Sequence, residues 1–169
     1  NEHAYNVNIS QFFSWRLLGF GSSNELELLL SRFTSKNGEM EWTHFMRGIY
    51  LGTEGFYSKS LEEFADANER IQRYETFFNM GLVAKAMGDV EKAVYYFQKC
   101  ETSLISKNKK GTTEENLVTM HISLSEAYFQ MGNTEKALRH VAQALDIDPD
   151  RLKALIVNKR IQESRHGTP

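Results

Sequence analysis

Five histidines, one cysteine and a glycine-rich pentapeptide are the residues of this chain that could do chemistry. Imidazoles capture a transition metal when two or three of them recur at short, regular spacing. His3, His44, His121, His140 and His166 are scattered with no such spacing, so the expected number of metal sites is none. Cys100 is the sole thiol, which excludes an internal disulfide framework. GFGSS at 19–23 has the glycines of a phosphate loop. It does not follow a strand, however, and a turn between helices accounts for it. The Asn-Ile-Ser triplet at 8–10 is a glycosylation sequon, a motif short enough to recur by chance. Walker, His-Glu-x-x-His, Cys-x-x-Cys and Gly-x-Ser-x-Gly patterns are all missing. No catalytic residue and no cofactor is expected, and the protein reads as non-enzymatic.

The elements that carry these residues are helices. Only two prolines occur, Pro149 and Pro169, in a chain rich in Ala, Leu, Glu and Lys. A net charge of −2 argues against nucleic acid or an anionic membrane surface as the partner of the whole chain. No apolar run approaches the roughly 20 residues of a membrane helix. The sequence opens on Asn1 rather than Met, so a missing upstream segment is expected, for which a signal peptide, a lipid anchor and a membrane helix are the candidates. The compartment is left open.

An internal repeat organises the chain. MGDVEKAVYYFQKC at 87–100 matches MGNTEKALRHVAQA at 131–144. Each follows a helix-like segment, FFNMGLVAKA in one case and HISLSEAYFQ in the other. The physical reading is a helical hairpin. Gly88 and Gly132 end a first helix where positive φ costs least. Asp89 and Asn133 cap the second helix. Ala93 and Ala137 mark the crossing of the two helices. Phe97 and Val141 fill the next turn, and Cys100 and Ala144 are small again where a neighbouring repeat packs. Cys100 is therefore read as core rather than nucleophile.

This pattern resembles the tetratricopeptide repeat, a helix–turn–helix unit of about 34 residues. The small eighth position falls on Gly81 and Ser125, the eleventh on Ala84 and Tyr128, and the terminal proline on Pro149. Stepping back to Gly55 puts Gly48, Leu51, Ser60, Phe64 and Ala67 in register. A further step to Gly21 gives a degraded match, because Leu26 is large where the family carries alanine. His44 and His121 both take the fourth position and should be wedged between paired helices, far from each other. The resemblance implies an all-α, right-handed superhelical solenoid forming a single domain. Its expected parts are a degraded repeat at 7–40, repeats at 41–73, 74–117 and 118–150, and a capping helix at 151–165. The third repeat is expected to hold a long polar loop, LISKNKKGTTEEN at 104–116.

In this family the first helices line a concave groove that takes protein partners. The resemblance puts Trp42, Phe45, Met46 and Ile49 there from the second repeat. Glu75, Phe78, Asn79, Leu82 and Lys85 come from the third, and Ile122, Glu126 and Phe129 from the fourth. The clamp that this family uses for chaperone tails would need cations and amides at Phe45, Ile49, Asn79, Thr119 and Ser123. Only Asn79 fits, so a free carboxylate tail is not the expected ligand. The groove should be apolar toward its N-terminal half, and replacing Ile49 and Phe78 by Glu should remove binding while leaving the fold intact.

The expected function is a scaffold or assembly module taking an apolar helix or extended peptide of another protein. Two alternatives are a small export chaperone for a hydrophobic secreted protein and the soluble domain of a larger membrane or envelope assembly. ISQFFSWRLLGF at 9–20 is expected to pack in line as a repeat helix. Its other placements are back into the groove, or exchanged into a second copy as a homodimer. Lys107, Lys109 and Lys110 are read as a solvated loop tip.

Overall fold

The computed structural model describes residues 41–106 and 114–166. The degraded repeat, the 9–20 segment, GFGSS, the sequon, His3 and the lysine loop lie outside the described residues. Among the described residues seven helices follow one another: α1 (Glu41–Thr53), α2 (Tyr57–Arg70), α3 (Tyr74–Ala86), α4 (Val90–Ser106), α5 (Glu114–Gln130), α6 (Thr134–Ile147) and α7 (Leu152–His166). No strand occurs among the described residues. The closest packing is within the pairs α1–α2, α3–α4 and α5–α6. Each pair then stacks on the next through α2–α3, α4–α5 and α6–α7, which is the layout of a helical solenoid.

The turns inside the pairs share one chemistry. Gly55, Gly88 and Gly132 have φ of 84°, 77° and 75°. At Gly88 two backbone bonds close the helix end, Gly88 N–H to Lys85 O and Asp89 N–H to Ala84 O, both 3.0 Å. Gly132 and Asn133 repeat them onto Phe129 O and Tyr128 O. This double closure satisfies carbonyls that the helix end would leave bare. The next residue starts the following helix: Asp89 Oδ1 accepts from Lys92 N–H at 3.0 Å and Asn133 Oδ1 from Lys136 N–H at 3.1 Å. Both glycine stops and both caps sit where the sequence places them. At the first turn Phe56 stands in the cap position and makes no side-chain cap.

Small residues at the crossings let the paired helices touch. A Cβ on Gly48 would lie 2.7 Å from the Phe64 ring, and one on Gly81 would lie 2.6 Å from the Phe97 ring. Phe64, Ala67, Phe97, Ala137 and Ala144 have no exposed surface. Two crossings are also tied by hydroxyls. Ser60 Oγ donates to Gly48 O at 2.6 Å, and Ser125 Oγ donates to Ala137 O at 2.8 Å. The serine sits on the second helix in one pair and on the first in the other, so the same two positions are linked from opposite sides.

The long loop expected at 104–116 is largely helix at its two ends. Helices α4 and α5 run 17 residues each, against 13 or 14 in the other paired helices. Leu104, one turn beyond Cys100, is buried and extends the apolar stripe of α4. Glu114 and Glu115 stand in the first turn of α5, where negative charge suits the helix dipole. Tertiary burial at one end and charge at the other outweigh the polar composition. Helix α7 caps the stack by burying Ala154, Val157 and Ile161.

Candidate functional site

The twelve side chains assigned to the concave groove divide into two sets. Phe45, Ile49, Phe78, Asn79 and Ile122 are buried, with 0–3% of their surface exposed. Trp42, Met46, Glu75, Leu82, Lys85, Glu126 and Phe129 are half-buried. The first set packs inward: the Phe45 ring lies 5.8 Å from Phe64 and the Phe78 ring 6.1 Å from Phe97. Asn79 Nδ2 donates to Glu75 O at 2.9 Å, within its own helix. Acidic substitution at Ile49 and Phe78 would put charge into the core and unfold the chain. The double change expected to separate binding from folding therefore cannot do so.

The half-buried set includes a polar bridge. Lys85 Nζ on α3 lies 2.5 Å from Glu126 Oε2 and 3.2 Å from Ser123 Oγ, both on α5. Lys153 Nζ of α7 reaches the same carboxylate oxygen at 3.7 Å. The first helices of successive pairs are thus tied by charge at the residues chosen as polar groove positions. Phe129 lies beneath the Arg160 guanidinium, 5.4 Å from its ring centre.

Each of the two fourth-position histidines meets a side chain of the facing helix. His44 Nδ1 is 2.8 Å from Glu63 Oε2, a carboxylate that Arg47 also meets at 3.4 Å. His121 is wedged between paired helices as expected, but it meets another histidine. Its Nδ1 is 3.3 Å from Nδ1 of His140, and the two rings stack 5.6 Å apart at 26°. Both side chains are buried. On its other side His140 stacks on Tyr128, 5.5 Å away and nearly parallel at 8°. Burial, reinforced by His121, lowers the His140 pKa to about 4, so the ring is neutral at pH 7. His140 shows no ligand spacing along the chain. The missed signal is the repeat itself: His44 and Glu63, Phe77 and Tyr96, and His121 and His140 are each 19 residues apart. That interval joins the fourth position of the first helix to the facing position of the second.

Cys100 is buried, and burial pushes its thiol far above the usual range. It is a core residue, as its small-residue position implies. No helix among the described residues is long and apolar enough to cross a membrane.

The geometry now has a family. The model of the tetratricopeptide repeat matches residues 75–150, from α3 to just beyond α6. Residues 75–150 are thus similar to tetratricopeptide repeats, and the described helices have the helical-solenoid layout of that family. Two curated relatives are similar to it, each named "Photosystem I assembly protein Ycf3". One is from Synechococcus elongatus (strain ATCC 33912 / PCC 7942 / FACHB-805), the other from Synechococcus sp. (strain ATCC 27144 / PCC 6301 / SAUG 1402/1). Each is 25% identical over 118 residues, covering 67% of this chain. The chain spans 66% of the length of these relatives.

Proposed function

We propose that this protein is a non-enzymatic assembly module that holds an apolar segment of another protein along the first helices α1, α3 and α5. The observation that carries the reading is the row of half-buried side chains on those helices, apolar at Trp42, Met46, Leu82 and Phe129 and bridged by Lys85 and Glu126. Partly exposed aromatic and aliphatic anchors beside fixed charges are what a helix-in-groove or strand-in-groove contact uses. The buried residues Phe45, Ile49, Phe78, Asn79 and Ile122 form the support beneath that row rather than the contact. Likeness to proteins named for assembly supports the same role.

The test is site-specific photo-crosslinking in native lysate. A photoreactive amino acid at Leu82 should capture one discrete partner, and the same probe at Tyr95, exposed on the second helix α4, should capture none. Equal labelling at both sites, or labelling only at Tyr95, refutes the groove assignment.

A further inference from the structure

The facing histidines of the last helix pair are joined by a carboxylate from the preceding pair. Ligand atoms of Glu101 on α4, His121 on α5 and His140 on α6 all lie within 4.8 Å of one another. We propose that these three residues bind a divalent transition metal ion of the zinc class, with a fourth position left to water or another ligand.

The spacing of the two nitrogens is the first argument. Zinc–imidazole bonds of about 2.0–2.1 Å in a tetrahedron put neighbouring nitrogens about 3.3–3.4 Å apart. The Nδ1 atoms of His121 and His140 stand 3.3 Å apart. The same separation is within reach of a long N–H···N hydrogen bond between the rings, which a bound ion would replace. The second argument is charge. Arg139 and Lys136 act on His140 with positive charge, and a buried dication needs an anion beside it. Glu101 is that anion. It is also the least buried member of the three, so the site opens to solvent on its side.

The third argument is orientation. A metal-binding imidazole is held by contacts to the rest of its ring. His140 is fixed against Tyr128, whose hydroxyl accepts from Gln98 Nε2 at 2.7 Å. Gln143, one turn beyond His140, acts on it in the direction of higher basicity, and its buried Oε1 makes no hydrogen bond of good geometry. Metal on Nδ1 leaves the His140 proton on Nε2, a donor of the kind such an oxygen takes.

The contrasting group is His44, Glu63 and Asp66, which also falls within ligand distance. There the imidazole is already in contact with Glu63 at 2.8 Å, Arg47 meets the same carboxylate, and Asp66 is mostly exposed. It is an ion-pair network and serves as the internal control. An ion at the proposed site would tie α4 to both helices of the next pair and so lock two repeats together.

The experiment is calorimetric titration of Zn²⁺ into the untagged, chelator-treated chain, with Co²⁺ absorption as the readout of ligand geometry. One equivalent should bind, with a tetrahedral Co²⁺ spectrum. His121→Gln and His140→Gln should each weaken binding by about 100-fold, and Glu101→Gln by about 10-fold. His44→Gln should leave it unchanged. Absence of saturable one-to-one binding overturns the proposal, as does binding that survives His140→Gln in a folded protein. If circular dichroism shows that a histidine variant does not fold, Glu101→Gln decides, and unchanged affinity in that variant overturns the proposal.

Discussion

Adding a single methyl group at Gly81 should destabilise the fold, although it removes a glycine from the middle of a helix. In an exposed helix, Gly→Ala gains about 1 kcal/mol. At Gly81 the new Cβ would stand 2.6, 2.7 and 2.8 Å from three carbons of the Phe97 ring. Carbon atoms pack at about 3.5–4.0 Å, so the ring would have to retreat by about 1 Å. It has no room to do so, since Phe97 is fully buried and already meets Phe78. Overpacking of this kind costs about 1–3 kcal/mol, and an immobile neighbour places the cost at the upper end. The expected net loss is about 2 kcal/mol. Phe97→Ala alone should cost about 3–5 kcal/mol through the cavity it leaves. In that background the obstructing ring is gone, and Gly81→Ala should instead gain about 1 kcal/mol. The change of sign is a coupling of about 3 kcal/mol, measured as a double-mutant cycle by urea unfolding followed by circular dichroism. A neutral or stabilising Gly81→Ala in the native background would refute the claim that small residues are there to admit the facing aromatic ring.

Three further predictions concern the core and its titration. Ser60→Ala and Ser125→Ala should each lose about 0.5–1.5 kcal/mol in the same unfolding assay, because each hydroxyl bonds a carbonyl across a helix crossing. His140 is more acidic in the folded chain, at about 4, than its ordinary value of 6.5. The unfolded chain therefore binds the extra proton first, and metal-free stability should be full above pH 6.5 and fall as the pH drops toward 4. The loss should approach about 3 kcal/mol and shrink in His140→Gln; equal slopes for the two proteins would show that another group is responsible. His121, Glu101, Lys136, Arg139 and Gln143 surround that imidazole, so none of them should be altered in the comparison. Cys100 should resist a thiol reagent in the native chain and react on unfolding, and fast labelling under native conditions would contradict its burial.

Much of this architecture was legible without coordinates because a helical hairpin is local. Gly88 and Gly132 stop a helix by adopting positive φ, and Asp89 and Asn133 start the next by accepting an N–H three residues on. The acting atoms lie within one turn of chain, so the sequence alone determines where these helices end. It also determines the register of small and large residues at the crossings, because Gly48 with Phe64 and Gly81 with Phe97 recur at the same repeat interval. Depth and long-range meeting belong to tertiary structure. Phe45, Ile49 and Phe78 occupy positions read as groove lining, yet packing draws them fully inside, because a helix position sets a side chain's direction but not what lies in front of it. The two ends of the 104–116 stretch are helix because Leu104 finds a buried place at one and Glu114 and Glu115 suit the helix dipole at the other. His121 and His140, 19 residues apart and unremarked as a pair, face each other at 3.3 Å only because α5 and α6 pack antiparallel around the turn at Gly132. Chain spacing reports neighbours along one helix, whereas the meeting of these two imidazoles depends on the distance and rotation between two helices, which are set by the packing of the whole stack.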